Sequence, residues 1–398
     1  MRKHVAFVAE PAPGHVYPTL PLVEELVRRG HRVSYVTGER LVTTVEAAGA
    51  TAVPLRERPW PDLSTQFTAE VLSEIVENSI ACARMDYPML TAYFEHDRPD
   101  VVCYDSLSFI GRLLAHRLPV LDVALFTTLA SNETFVLEDQ FERGSFDSQH
   151  PKLIEAGKQL HTFATEGGLV ESGRAWWEIA SLNLVLLPKQ FQIAADTFDG
   201  RYHFIGPSLG LRESLESWQP PKGGAAILFI SLGTVFNQRP DFFRRCLEAF
   251  AESSWQVVMA IGEGINPEHL GLIPANFQIR SYFPQPTVLR HARVFISHAG
   301  PTSIMESLYY GVPLIMVPQT PEQQVNARRT AELGLGRRLL MAEATAERLR
   351  EAVAQVGGDA EIRTNAARMR TVIRNCGGAA LGVDVIEAHL ALNYRSKP

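Results

Sequence analysis

Short apolar runs bounded by polar turns recur along this chain, and between many of them the apolar positions repeat every three or four residues. His4 to Ala9 reads as a first β-strand, ending at Glu10. Leu20 to Arg29 is helical, with Leu20, Val23, Leu26 and Val27 on one face and Gly30 at its end, and His31 to Thr37 is the next strand. Pro99 to Asp105, Pro119 to Leu125 (after a helix end from Leu113), Leu182 to Leu187 and Tyr202 to Ile205 continue the series. Trp60 to Arg98 and Thr127 to Ala180 read as mixed segments with helical stretches.

The rhythm then restarts. Strands are expected at Ala226 to Ile230, Trp255 to Ile261, Phe277 to Tyr282, Val294 to Ile296, Val312 to Val317 and Leu335 to Leu340. Helices are expected at Asp241 to Ser253, near Thr287, from Ser303 to Gly311, and at Val325 to Leu333, Thr345 to Val356 and Ala360 to Asn375. An amphipathic stretch, Ala379 to Asn393, closes the chain. Strands alternating with helices predict an α/β class in which parallel sheets are covered on both faces. Gly206 to Gly224, with Pro207, Pro220, Pro221, Gly223 and Gly224, is the clearest break in composition. It divides the chain into residues 1–206, a linker 207–224, residues 225–378 and a terminal helix 379–398.

Composition narrows the classes of partner. The chain has 398 residues, 46% hydrophobic and 21% charged, which suits two globular domains, each with its own core. A net charge of -6 offers no basic field for nucleic acid. The apolar run after Met1-Arg2-Lys3 is too short for a signal peptide, and no run approaches the roughly 20 apolar residues of a membrane span. The cysteines Cys82, Cys103, Cys246 and Cys376 are scattered without C-x-x-C spacing and read as reduced thiols of a cytoplasmic protein. No D-x-D tripeptide or zinc-spaced Cys/His cluster is present, so no metal is expected. Nothing in the pattern fixes an oligomeric state.

Chemistry concentrates between Ala292 and Gln323. The strand Val294 to Ile296 ends in the turn Ser297-His298-Ala299-Gly300, and Ser303 with Glu306 has the spacing of a capping box that opens a helix near Ser303 and stops it at Gly311, ahead of Pro313. A strand feeding a helix N-terminus gathers free N–H groups and the positive end of a dipole at one spot, which attracts an anion. His298, a hydroxyl and exposed amides suit a diphosphate, with Glu306 one turn on as an acceptor for sugar hydroxyls. Alternatively Ser303 and Glu306 only cap the helix, and His298 is a loop residue.

In the first half, Pro11 to Pro18 occupies the place of a G-x-G-x-x-G loop but holds Gly14 alone, too little for a pyrophosphate. It offers His15 at the carboxyl end of the first strand, while Asp105 ends the strand Pro99 to Asp105 on the same sheet edge. These are the parts of a base with its orienting carboxylate, or else a surface histidine and a turn aspartate sharing capping duty with Ser106.

The H-x-G-x-x-S-x-x-E core, followed by Gly311-Val312-Pro313 and the P-x-x-x-E-Q run from Pro318 to Gln323, resembles the donor signature of the UDP-dependent glycosyltransferases, most closely their bacterial macrolide branch. The resemblance implies that His298 and Ser303, with Gly300 and Thr302 beside them, meet the diphosphate, that Glu306 holds the ribose hydroxyls, and that Glu322 and Gln323 hold the donor sugar. Tyr282-Phe283-Pro284-Gln285 matches the nucleobase element W-x-P-Q, with Tyr282 in place of the stacking Trp, and Phe283 and Gln285 beside it. Ser231 and Thr234 match the S-x-G-[ST] turn at the nucleotide. Pro301-Thr302 stands where plant members carry Trp-Asn, and Glu322 where they carry Asp. Gly14-His15 matches the element whose histidine takes the acceptor's proton, and Asp105 its paired carboxylate.

Most of the aromatics Phe67, Tyr87, Tyr93, Phe94, Phe126, Phe135, Phe141, Phe163, Trp176 and Trp177 are expected in the core. Phe67, Tyr87, Phe126, Asn132 and Phe135 are the candidates to line an acceptor cleft.

The fold so implied is the GT-B architecture, two Rossmann-like doubly wound domains facing across a cleft, with the terminal helix packing back on the first. The implied activity is an inverting, metal-independent hexosyl transfer, most simply from UDP-glucose, to a hydroxyl of a hydrophobic acceptor such as a macrolide or polyphenol. Such a reaction serves self-protection against an antibiotic or tailoring of a natural product. A donor carrying another nucleotide-deoxysugar, and a non-enzymatic nucleotide-sugar-binding module, remain as alternatives. An epimerase or a cell-wall transferase could share the architecture, the latter with a Gly-rich loop at Pro11 to Pro18.

Overall fold

Seven parallel strands make the first sheet of the computed structural model, which describes residues 2–56, 67–142, 144, 147–169, 179–213 and 218–394. They are β1 His4–Val8, β2 Arg32–Gly38, β3 Thr51–Leu55, β4 Val101–Asp105, β5 Leu121–Phe126, β6 Asn183–Val185 and β7 Tyr202–Phe204. Their order is β3-β2-β1-β4-β5-β6-β7. The chain winds outward from β1 in one direction and, from β4, in the other, so β1 and β4 flank the point where the winding reverses. Both are buried along their whole length, as continuous apolar runs in a doubly covered sheet should be.

The second sheet has six strands, β8 Ile227–Ser231, β9 Gln256–Ala260, β10 Phe277–Arg280, β11 Ala292–Ser297, β12 Leu314–Met316 and β13 Gly336–Arg338. All are parallel, in the order β10-β9-β8-β11-β12-β13, and β8 and β11 flank its reversal. Ligands of open α/β sheets bind in the crevice at the carboxyl ends of such strand pairs. Here those ends carry Asp105 and the segment after Val8 in one sheet, and Ser231 and Ser297 in the other.

Two elements escape the apolar periodicity. β3 is an edge strand of alternating exposure that contains Pro54, whose missing N–H an edge tolerates. Ala69–His96 is a single helix of 28 residues, started by Thr68, whose hydroxyl accepts from the Val71 N–H, and continuing through Pro88. The segment Pro11 to Pro18, read as an open loop, is instead a short helix, Pro13–Val16, continued by a 3-10 turn, Tyr17–Thr19. The prolines explain the correction, since Pro13 and Pro18 each occupy a helical first turn, where a missing N–H costs nothing.

The last helix, Gly378–Tyr394, lies on the first sheet's layer against Leu20–Arg28. Val383, Ile386 and Leu390 are buried in the same core as Leu22, Val23 and Leu26. Each such apolar side chain contributes about 1.5–3 kcal/mol on burial. The half-exposed ion pairs from Arg29 to Asp384 and Glu387 add about 0–1 kcal/mol each. Apolar contact therefore holds this helix, and the charges set its register.

Candidate active site

At the first reversal point, His15 Nδ1 donates to Asp105 Oδ2 at 2.7 Å. Asp105 is fully buried, and its Oδ1 accepts the Leu107 N–H at 2.8 Å, so the carboxylate cannot rotate without losing a bond. With the proton on Nδ1, Nε2 is the free basic atom of His15. Burial disfavours a charged imidazole here, but the charge and hydrogen bond of Asp105, with Glu10 and Glu322 farther off, outweigh it and raise the pKa to about 9. Glu322, which acts on this histidine, belongs to the second half of the chain. The structure thus joins His15 and Asp105 as a basic imidazole and its orienter.

At the second reversal point, β11 runs into Ser297-His298-Ala299-Gly300 and the helix Pro301–Tyr310. Ala299 is left-handed (φ 65°), an uncommon conformation for a residue with a Cβ, and the Ser297 hydroxyl accepts its N–H at 3.2 Å. Gly300 is the N-cap and Pro301 the first helical residue, with no side chain capping the start. The capping box expected of Ser303 and Glu306 is therefore not formed. Pro301, pre-set for a first turn, begins the helix two residues earlier and leaves Ser303 and Glu306 facing inward, both buried. Gly311 ends the helix in the left-handed conformation (φ 74°), as expected.

The His298 ring is held between two glycines. A Cβ on Gly233, itself at φ +78°, would fall 2.5 Å from its Cε1, and one on Gly300 2.4 Å from its Nε2. Burial lowers the His298 pKa to about 4, so the ring is neutral near pH 7, and its Nδ1 is enclosed without a partner. Gly233 follows Ser231, whose hydroxyl accepts the Gly233 N–H at 3.3 Å, while Thr234 is exposed at the turn. An imidazole, a helix N-terminus and a tight turn therefore meet at one place, a combination that suits an anion.

Glu306, only 3% exposed, receives Gln285 Nε2 on Oε2 and Arg212 on Oε1, each at 2.7 Å. Gln285 also donates to the Ser303 hydroxyl at 3.2 Å. Removing one partner of such a buried pair typically costs about 3–5 kcal/mol. Glu322 and Gln323 lie in the first turn of the helix Pro321–Glu332, which begins four residues before the Val325 start expected from periodicity because Thr320 caps it. Gln323 Oε1 accepts the Gln319 N–H at 2.9 Å, which leaves its NH2 as the group free to turn toward a ligand.

Other expectations are corrected. Tyr282 is 46% exposed, whereas Phe283 is in the core beneath the Arg280 guanidinium. Asn132 spends its amide on Thr197 and its carbonyl on the N–H groups of Thr134 and Phe135, closing a loop instead of lining a cleft. Phe135 is buried against Phe198. Tyr87 packs in the helical layer of the first sheet, where Arg117 and Glu95 act on it. Phe126, half-buried at the end of β5, and Phe67, edge-on to Phe236 of the second half at 5.9 Å, remain near the sheets' carboxyl ends. Trp60, Trp176 and Trp177 lie outside the described residues.

Sequence reasoning missed Arg212 and Tyr17. The Arg212 guanidinium stacks over the Tyr17 ring at 4.2 Å while bonding Glu306. The Thr302 hydroxyl donates to the Gly14 carbonyl at 3.2 Å. Two contacts therefore tie the second sheet's helix to the segment that carries His15. Among the described residues, no three His, Cys, Asp or Glu side chains gather as metal ligands, and no helix is long and apolar enough to cross a membrane.

Comparison with known proteins agrees with this geometry. Residues 183–376 match the family model described as UDP-glucoronosyl and UDP-glucosyl transferase. The chain is 39% identical to the NDP-glycosyltransferase YjiC of Bacillus licheniformis, with 98% of each chain covered. It is 38% identical to the demethyllactenocin mycarosyltransferase of Streptomyces fradiae, over 98% of this chain and 87% of the relative. The solved structure of CalG4, the calicheamicin glycosyltransferase, superposes with a TM-score of 0.82 at 34% identity over the whole of both chains. With its two reversal points and their facing residues built on two Rossmann-like sheets of the GT-B architecture, this chain belongs to the UDP-glycosyltransferase family and is a glycosyltransferase.

Proposed function

We propose that this glycosyltransferase moves glucose from UDP-glucose to a hydroxyl of a hydrophobic small molecule, such as a macrolide or polyphenol, with inversion and without a metal ion. The observation that carries the reading is the pairing of sites: the His15–Asp105 dyad ends one sheet, His298 and the helix N-terminus at Gly300 end the other, and Thr302 bonds the residue before His15.

In the proposed reaction His15 Nε2 takes the proton of the acceptor hydroxyl while Asp105 holds the ring and stabilises the imidazolium. The acceptor oxygen bonds to the anomeric carbon as the bond from that carbon to the phosphate oxygen breaks, and UDP leaves with the electron pair. His298, the Ser303 hydroxyl and the helix N–H groups take up the charge developing on the diphosphate. Glu306 meets the ribose, Tyr282 the nucleobase, and Glu322 with Gln323 the sugar. The free cysteines and the lack of a spanning helix among the described residues accord with a cytoplasmic enzyme.

The reading is tested by incubating the protein with UDP-glucose, in EDTA, and a panel of macrolide and phenolic acceptors. The expected product is heavier by one hexosyl residue and β-linked; an α-linked product, or no transfer to any acceptor, contradicts it. A donor with another nucleotide and a deoxysugar is the second reading, favoured by the 38% identity to an enzyme named as a mycarosyltransferase and by Tyr282 in place of Trp.

A further inference from the structure

We propose that Arg212 is a positioning residue: it aims the Glu306 carboxylate at a ribose diol and, through Tyr17, couples nucleotide occupancy to the placement of His15. The inference rests on the donor reading above. A carboxylate offers about four lone-pair positions. Arg212 takes one on Oε1 and Gln285 one on Oε2, so each oxygen keeps an acceptor position for one hydroxyl of a vicinal pair.

Arg212 does not reach Glu306 on a loose chain. It sits in the 3-10 turn Gly210–Glu213, which is fastened from both sides. Glu24 of the first half accepts the Leu211 N–H at 3.0 Å, and a Cβ on Gly210 (φ +58°) would fall 2.3 Å from the same carboxylate. Glu213 accepts from Arg290 at 2.9 Å and from the Tyr310 hydroxyl at 3.2 Å, both in the second half. The guanidinium then lies over Tyr17, two residues from His15 and at the end of its helix. A planar cation can bond a carboxylate in its plane and stack an aromatic ring on its face, which an ammonium cannot do equally well.

The test measures binding of UDP and of 2′-deoxy-UDP by calorimetry, with kcat at saturating substrates, in wild type, Arg212→Ala, Arg212→Lys and Tyr17→Leu. Arg212→Ala is expected to weaken UDP by about tenfold and to bring the UDP/2′-deoxy-UDP affinity ratio toward one, because the aim of Glu306 is lost. Arg212→Lys recovers part of the UDP affinity. Tyr17→Leu keeps UDP affinity and the ratio but lowers kcat, which a purely structural role would not separate. Should Arg212→Ala not fold, Arg212→Lys and Tyr17→Leu decide the matter: Arg212→Lys must weaken UDP relative to wild type, and Tyr17→Leu must lower kcat alone. Wild-type values in Arg212→Ala, or an unchanged kcat in Tyr17→Leu, overturn the inference while leaving the donor reading intact. A wild-type protein that does not bind UDP overturns both.

Discussion

Thr302, in the first turn of the helix Pro301–Tyr310, donates its hydroxyl to the backbone carbonyl of Gly14, the residue before His15, at 3.2 Å. A residue of the helix at the second reversal point thus touches the segment that carries the candidate base, and both lie at the reversal points of their sheets. In the proposed mechanism, this contact is where the distance between acceptor and donor is set.

Removal of the base should separate chemistry from binding. His15→Ala is expected to lower kcat by about 10²–10⁴-fold, the usual contribution of a positioned general base, and Asp105→Asn to lower it substantially. UDP affinity, measured by calorimetry, should stay within a few-fold of wild type in both. Near-normal turnover in His15→Ala would remove the assignment.

The pH dependence follows from the dyad. Only neutral His15 can accept the proton, and its pKa in the free protein is raised to about 9, so kcat/KM should climb with pH through that region. Asp105→Asn removes the main interaction that raises the pKa and leaves burial, acting in the opposite sense, opposed only by the weaker pull of Glu10 and Glu322. The rising limb should therefore move to lower pH, even as the plateau falls. A limb unmoved by that substitution would show that another group titrates.

Much of this arrangement was legible in the sequence, for identifiable reasons. Buried parallel strands are continuous apolar runs, so β1, β4, β8 and β11 stood out, and Asp105 and His298, at or directly after the ends of such runs, had to emerge on a sheet edge, with His15 in the short segment that follows β1. The S-x-x-E spacing misled because the same interval that forms a capping box also places two side chains on one helix face, and Pro301 decided between them. Phe135, Tyr87 and Phe283 could not be sorted into core or cleft, because an aromatic buried by distant elements carries no local mark of it. Arg212 lies in a Gly- and Pro-rich connection without periodicity, so nothing local announced its reach to Glu306.

The seat of His298 predicts a steric test. Gly233→Ala places a methyl group at a left-handed position and 2.5 Å from the ring, so the imidazole must move. UDP affinity should fall by about tenfold with the secondary structure unchanged by circular dichroism. An affinity equal to wild type would mean that His298 does not meet the diphosphate.

Sugar choice should reside in the first turn of the helix Pro321–Glu332. Gln323→Ala removes a buried amide whose carbonyl fixes the Gln319 N–H. It should raise KM for UDP-glucose and narrow the preference over UDP-galactose, with UDP affinity itself preserved. A selectivity equal to wild type would place sugar recognition elsewhere.

The most direct measurement of the central claim is a calorimetric titration of the protein with UDP, in EDTA, beside the Glu306→Ala variant and with dTDP and NAD as comparison ligands. The account predicts that UDP binds without a metal, that NAD does not bind, and that Glu306→Ala weakens UDP by about tenfold or more. No binding of either UDP or dTDP, or a UDP affinity unaltered in Glu306→Ala, would contradict it.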